Sequence, residues 1–306
     1  MKINTVALIG AGAIGCYFIS CLSEKLQDRL WIVAEGERKA RLEQQGVVIN
    51  DKPYKLNVRT PEEAKGADLI IVGVKYGALQ EALAMVEKMV EDHSLVISPM
   101  NGVDSEQLIG AKIGMDRLMY TYMFIASQRV GNSVRFDPER TIGLNFGELD
   151  GRTSQRTEAL EELFAGTDFH YRMTDQILHD IWAKYALNIS RNLPQALINV
   201  GQGAYEDSEH LAYISNRLRD EVVAVAEAYG VNLADCASDK IKKRSVPPKA
   251  RFSTLQDLDA KRETEIEMFS GALCRLAAKL GVAVPYNEYT YHAIKCLEEK
   301  NSGKIE

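Results

Sequence analysis

Along the first third of the chain, short apolar runs alternate with amphipathic stretches. Val6-Ala7-Leu8-Ile9 leads into glycines and then a helical repeat of apolar positions through about Leu26. Leu30-Trp31-Ile32-Val33-Ala34 is a second run and Leu69-Ile70-Ile71-Val72-Gly73-Val74 a third. The third is apolar throughout, as a strand buried on both faces requires. A helical pattern covers Leu79 to Val90, and Leu95-Val96-Ile97-Ser98 reads as another strand. This βαβ alternation predicts a parallel, doubly wound sheet.

From about Met119 to Phe146 the pattern changes to recurring Tyr, Thr, Val and Phe, with Gly131-Asn132 as a turn. Added strands, antiparallel in sense, are expected there. A helix from about Ser154 to Ala165 and a strand at Phe169-His170-Tyr171 complete a first domain over 1–172. Beyond Thr174 the strand signals almost stop, and helices are predicted over 175–192, 208–229, 233–244, 260–281 and 286–299. Residues 173–306 are therefore expected to form a second, helical domain.

The 306 residues carry 37 basic and 43 acidic side chains, a formal net charge of −6, with 46% apolar residues. That is ordinary globular composition and excludes a disordered, collagenous or disulfide-built chain. The acidic balance argues against nucleic acid as a partner, since phosphate binding requires a basic footprint. The densest basic run, Lys240, Lys242, Lys243 and Arg244, is short and reads as a solvated helix end before Pro247-Pro248. Cys16, Cys21, Cys236, Cys274 and Cys296 are widely spaced and odd in number, as reduced cytoplasmic thiols would be. Met1-Lys2-Ile3-Asn4 runs straight into a strand-like segment, so no signal peptide is expected, and no apolar run is long enough for a bilayer. His93, His170, His179, His210 and His292 have no metal-ligand spacing, and no metal site is expected. The oligomeric state stays open, a homodimer being the commonest assembly.

The first strand runs into Gly10-Ala11-Gly12-Ala13-Ile14-Gly15, a G-x-G-x-x-G run between a strand and a helix. In that context Gly10 permits the tight turn, Gly12 the approach of a pyrophosphate and Gly15 close helix–strand packing. The helix N-terminus offers N–H groups and partial positive charge to phosphates. Glu35 ends the next strand, twenty positions after Gly15. A carboxylate there accepts from a ribose 2′-hydroxyl and favours NAD, whereas Arg38 and Lys39 could neutralise the 2′-phosphate of NADP if Glu35 turned away. Lys75 and Asn101-Gly102 follow two further strands, at the edge where doubly wound sheets hold their ligands.

In the second domain, Ile177, Ile181, Lys184, Asn188 and Asn192 lie along one side of a helix, beside apolar Leu178, Trp182, Tyr185 and Ile189. Asn188 falls within the apolar sector and Lys184 at its edge; Asn192 joins Asn188 if the helix continues that far, against the breaking effect of Pro194. An unpartnered buried amide costs roughly 1–3 kcal/mol, so these positions need an internal network, an interdomain contact or a polar substrate. Glu265 borders the apolar stripe Ile266, Phe269, Leu273, Leu276 and Leu280 of the predicted 260–281 helix. Ser253 sits in the loop before it.

These residues resemble the ketopantoate reductase family over nearly the whole chain. The resemblance rests on the glycine run, Lys75, Asn101-Gly102, Trp182-Ala183-Lys184-Tyr185-Ala186-Leu187-Asn188 with Asn192, Ser253-Thr254-Leu255-Gln256-Asp257, Thr264-Glu265-Ile266 and Leu280-Gly281-Val282-Ala283-Val284-Pro285. It implies an α/β plus all-α architecture: a Rossmann domain, then a helical domain similar to that of 6-phosphogluconate dehydrogenase, with the active site in the cleft between them. It implies an NADPH-dependent reductase of a small 2-oxo acid, with Lys184 as general acid and Asn188, Asn192 and Ser253 at substrate-binding positions. It places Asn101 near nicotinamide and substrate, and gives Glu265 the role of orienting both. Two positions depart from the family pattern: Asn192-Leu193-Pro194 stands where Asn-Pro is common, and Glu35 stands where an arginine often grips the 2′-phosphate.

Three readings follow. The first is a ketopantoate reductase of pantothenate synthesis. The second is a relative reducing another 2-oxo acid, kept open by Leu193-Pro194. The third is a nicotinamide-nucleotide-binding protein without turnover, which has no use for Lys184, Asn188, Asn192, Ser253 and Glu265 together.

Overall fold

The computed structural model describes residues 1–125, 127–234 and 246–306. They divide into two compact units, Met1–Ile177 and Leu178–Glu306. All but the first two residues of the predicted helix over 233–244, the basic run at Lys240–Arg244 and Cys236 lie outside the described residues.

The first unit is built on strands β1 (Val6–Ile9), β2 (Leu30–Val33), β5 (Asn57–Arg59), β6 (Leu69–Val72), β7 (Leu95–Ile97), β8 (Leu118–Phe124), β11 (Gly143–Gly147) and β12 (Tyr171–Met173). They form one sheet in the order β12-β11-β8-β7-β6-β1-β2-β5. From β8 to β5 every pairing is parallel, while β11 runs antiparallel to β8. The central strands β1 and β6 are buried at every position, which is why they read as unbroken apolar runs. Helices α1 (Ala13–Leu26), α2 (Gly36–Gln45), α3 (Leu79–Met89), α4 (Ser105–Ile113) and α5 (Gln155–Phe164) belong to this unit. An aromatic cluster joins α1 and α5 beside the sheet: Phe164 stacks on Phe169 at 4.2 Å, and Phe18 meets Phe169 at 4.8 Å. The strand expected at Phe169–Tyr171 falls at Tyr171–Met173.

A second sheet was not expected. Strands β3 (Val47–Ile49), β4 (Lys52–Tyr54), β9 (Ser127–Val130) and β10 (Ser133–Phe136) pair in the order β4-β3-β10-β9. The predicted turn at Gly131-Asn132 joins β9 to β10, and β10 then pairs parallel to β3. Strands of three residues are too short for a periodic pattern, so β3, β4 and β5 left no signal.

The second unit is helical: α6 (Ile177–Ile198, whose first residue belongs to the first unit), α7 (Ala204–Asp207), α8 (Glu209–Tyr229), α9 (Ser253–Asp259), α10 (Ala272–Leu280) and α11 (Pro285–Asn301). Buried Glu221 on α8 accepts from the backbone N–H groups of Tyr286 and Asn287, both at 2.8 Å, and so caps the start of α11 with a carboxylate. None of the described helices is long and apolar enough to cross a membrane.

Two expectations are corrected here. First, α6 does not end at 192 but continues through Pro194 to Ile198. Proline has no N–H, so the Ser190 carbonyl loses its partner one turn back. Ser215 of α8 replaces it, its Oγ donating to Ser190 O at 2.7 Å. The Tyr205 hydroxyl donates to the next carbonyl, Arg191 O, at 2.5 Å. Second, the predicted 260–281 helix begins only at Glu267, residues 260–266 being turns and irregular chain, and it is broken again where it starts. A π-turn spans Glu267–Gly271, and Phe269 within it has φ −80° and ψ −105°. Ile266, Met268, Phe269 and Leu273 are all buried around this break.

Candidate active site

The glycine run joins β1 to α1. Gly10 has φ +105°, and a Cβ there would stand 2.4 Å from the Gly73 carbonyl oxygen. At Gly15 a Cβ would fall 1.9 Å from Gly10 O, so only glycine lets α1 close on the turn. Gly12 differs from both: a Cβ there would meet nothing within 4 Å. Ala11, Ala13 and Ile14 complete the turn, and α1 begins with no side-chain cap and no acidic residue in its first turn. The positive end of the helix is thus not compensated by its own sequence, and room remains in front of Gly12. These features fit a pyrophosphate.

A recess beside this turn is lined by Ile9, Ala34, Arg38, Val74, Ala78 and Met85, among others. Arg38 lies in the first turn of α2, and Glu35 is that helix's N-cap residue. The Glu35 carboxylate pairs with Lys88 at 3.2 Å, and Lys88 also pairs with Glu62 at 3.0 Å. Lys39 pairs with Glu43. Of the two cations weighed from sequence, Arg38 therefore belongs to the recess and Lys39 to an ion pair along its own helix.

Lys75 follows β6 and Asn101 follows β7, on adjacent strands. Both lie past the carboxyl ends that also carry the glycine turn and Glu35. Lys75 is exposed and Asn101 half-buried, on a loop whose next residue, Gly102, has φ +98°. Sequence reasoning missed what supports this loop. Ser98 Oγ donates to Ser105 Oγ at 3.0 Å, and Ser105 Oγ donates to Glu106 Oε2 at 2.8 Å. The two serines thus tie the ends of the Asn101 loop together. Burial pushes the Glu106 carboxyl up to about 7, partly offset by the Ser105 hydroxyl. Tyr76, next to Lys75, donates from its hydroxyl to Asp104 at 2.6 Å, on the far limb of the same loop. No apolar period marks these residues; only their position after strands could have drawn attention to them.

In the second unit, Lys184, Asn188 and Asn192 follow one another at four-residue spacing along α6. Lys184 is 7% and Asn192 8% exposed, and Asn188 is half-buried. Three polar groups on one buried stripe are costly unless they serve a polar ligand or network. Ser253 is exposed at the first turn of α9. Glu265 is half-buried just before the π-turn, and its carbonyl accepts from both Met268 and Phe269 N–H. Tyr185, the neighbour of Lys184, donates its hydroxyl to Phe269 O at 2.6 Å and lies 3.2 Å from Met268 O. The turn after Glu265 is thereby tied to the helix that carries Lys184. Among the described residues, no group of three His, Cys, Asp or Glu could hold a metal ion.

Two family models account for most of the sequence. "Ketopantoate reductase PanE/ApbA" matches residues 6–151 and "Ketopantoate reductase PanE/ApbA C terminal" matches 176–298. The chain belongs to the ketopantoate reductase family. It is 26% identical over 300 residues to the 2-dehydropantoate 2-reductase of Archaeoglobus fulgidus, covering 97% of this chain and 99% of that one. A solved ketopantoate reductase of the family from Ralstonia eutropha superposes with a TM-score of 0.82 at 24% identity, covering 97% of this chain and 99% of that one. The ternary structure of D-mandelate dehydrogenase with NADH and anilino(oxo)acetate superposes with a TM-score of 0.81 at 20% identity, over 97% and 99% of the two chains. A Rossmann-like sheet unit followed by a helical unit is thus the architecture of the family and of this chain.

Proposed function

We propose that the protein is a 2-dehydropantoate 2-reductase that reduces ketopantoate to pantoate with NADPH. The observation that carries this reading is the stripe of Lys184, Asn188 and Asn192 on α6, with the Ser253 segment and the Glu265 turn both tied to that helix. Family membership and the full-length likeness to a 2-dehydropantoate 2-reductase support it.

The glycine turn, Lys75 and Asn101 would hold the nicotinamide nucleotide, with its pyrophosphate against Gly12 and the start of α1. When bound, this cofactor supplies the hydride for C2 of the substrate. Lys184 stabilises the negative charge that develops on the carbonyl oxygen and donates the proton there. Asn188 and Asn192 orient the substrate by hydrogen bonds without adding charge. Ser253 binds the same molecule through its hydroxyl. Glu265 accepts from a substrate hydroxyl, selecting hydroxylated 2-oxo acids, and orients cofactor and substrate together.

For the cofactor, Arg38 in the recess and the Glu35–Lys88 ion pair support NADPH: the carboxylate that would repel a 2′-phosphate is engaged elsewhere, and a guanidinium stands in the recess. A second reading, reduction of a different 2-oxo acid, is favoured by the Leu193-Pro194 departure beside Asn192. The likeness in fold to D-mandelate dehydrogenase is compatible with it.

Initial-rate oxidation of NADPH and NADH with ketopantoate as acceptor tests the assignment. Turnover with NADPH at least tenfold more efficient than with NADH is the expected result. Absence of turnover by protein that binds the nucleotide overturns the substrate assignment. Preference for NADH overturns the reading of Arg38.

A further inference from the structure

Gln195 lies one turn beyond Asn192 on α6 and is fully buried. Both ends of its side-chain amide are used, and both bind the backbone that leads into α9. Nε2 donates to Ala250 O at 3.0 Å, and Oε1 accepts from Phe252 N–H at 2.6 Å. The amide thus presents to residues 250 and 252 the donor and acceptor that a neighbouring strand would present. Phe252 is the N-cap of α9, and the next residue is Ser253.

Other ties hold the same segment from its outer side. Gln202 N–H donates to Ala250 O at 3.1 Å and Gly203 N–H to Pro248 O at 2.8 Å. Arg251 binds Asp259 at 2.7 and 2.8 Å and Asn199 at 2.6 Å, in exposed surroundings. Among these ties the Gln195 amide is the buried one, and it starts from the turn of α6 that carries Asn192. That turn is itself braced. The Tyr205 hydroxyl donates to Arg191 O at 2.5 Å, so the helix keeps its course beyond Pro194.

We infer that Gln195 is the positioning residue for Ser253, setting the distance from the Ser253 hydroxyl to the Asn188–Asn192 side of α6 through the backbone at 250 and 252. This rests on the substrate-binding reading of those three residues given above. Glutamine suits the task because it donates and accepts at once. A carboxylate could not donate to Ala250 O, and an apolar side chain would leave the Phe252 N–H without its partner and Ala250 O with the Gln202 N–H alone.

The test is steady-state kinetics of the full-length enzyme with ketopantoate and NADPH, comparing wild type, Gln195→Met, Ser253→Ala and the double variant, with the NADPH Kd measured by fluorescence titration. Gln195→Met is expected to raise the ketopantoate KM at least tenfold, to change kcat less than threefold and to leave the NADPH Kd unchanged. In the Ser253→Ala background it adds little further to KM, because both substitutions remove one contact. An unchanged KM, or a KM effect that multiplies fully in the double variant, overturns the inference. If Gln195→Met does not fold, Gln195→Asn takes its place. It retains both hydrogen-bonding groups on a shorter arm, and is expected to raise KM severalfold; an unchanged KM in it overturns the inference as well. A wild type without ketopantoate turnover overturns the substrate reading and the inference with it, whereas an active wild type with unaffected Gln195 variants overturns the inference alone.

Discussion

The Tyr185 hydroxyl donates to the carbonyl oxygen of Phe269 at 2.6 Å. Phe269 is the residue whose backbone departs from helical geometry in the π-turn; its carbonyl accepts from the Ala272 N–H and takes a second donor from outside the turn. Tyr185 supplies it from the position next to Lys184. Tyr185→Phe keeps the ring and removes only this donor. It is expected to lower stability by roughly 0.5–1.5 kcal/mol, the net worth of one hydrogen bond, because the Ala272 N–H still binds the carbonyl. It should also lower kcat/KM for the 2-oxo acid while sparing nucleotide affinity. Urea denaturation and steady-state rates check both; a variant as stable and active as wild type would remove Tyr185 from this role.

Lys184→Ala removes the proposed proton donor. The expected loss in kcat is about 10²–10⁴-fold, the range for general acid catalysis, with the nucleotide Kd unchanged. Single-turnover rates separate this from a binding defect. Retention of full turnover by the variant would assign the proton to another group.

Arg38→Ala bears on cofactor choice. A charge-assisted contact to a phosphate is worth roughly 1.5–3 kcal/mol, or about 10–100-fold in affinity. The NADPH KM is expected to rise by that factor and the NADH KM to stay near its wild-type value. Equal changes in both would place Arg38 outside the phosphate site.

Glycines of the first turn are expected to separate by role. Gly15→Ala forces a Cβ against the Gly10 carbonyl and should leave little folded protein. Gly12→Val has open space for its side chain, so the thermal midpoint should shift little while NADPH affinity falls at least tenfold. Tight nucleotide binding by folded Gly12→Val would exclude this turn as the pyrophosphate site.

Glu106 predicts a pH effect on stability. Its carboxyl lies at about 7 in the folded protein, against an ordinary value of 4.5. The folded state therefore holds this proton more tightly than the unfolded chain. The resulting stability is fully present below pH 4.5 and is lost as pH rises through 7. Glu106→Gln, which stays neutral, should lose less stability than wild type between pH 5 and 8, by on the order of 2 kcal/mol. Parallel urea titrations at both pH values measure the difference; identical losses would refute the buried neutral carboxyl.

How much of this was legible in the sequence depends on whether a feature announces itself locally. The glycine run, the buried strands around it and the Lys184–Asn188–Asn192 spacing are local patterns, and the family resemblance follows from them. Pro194 looked like a helix end because the hydroxyl that replaces its missing bond, Ser215, is 21 positions away. Nothing in the apolar stripe around Phe269 marked the break there, and Tyr185, its partner, is 84 positions distant. Gln195 resembled any other polar residue near a helix end until Ala250 and Phe252 stood beside it.

The place of β12 in the eight-stranded sheet has a consequence for synthesis. β8 ends at Phe124, but the strands beyond it, β11 and β12, are complete only at Gly147 and Met173. At about 5–20 residues per second the ribosome needs several seconds to add those roughly fifty residues. For that interval the nascent chain carries an unpaired edge, first on β8 and then on β11, of the kind that recruits foreign strands. Slower elongation between residues 124 and 173 would prolong the exposure, so the period of greatest aggregation hazard precedes most of the helical unit.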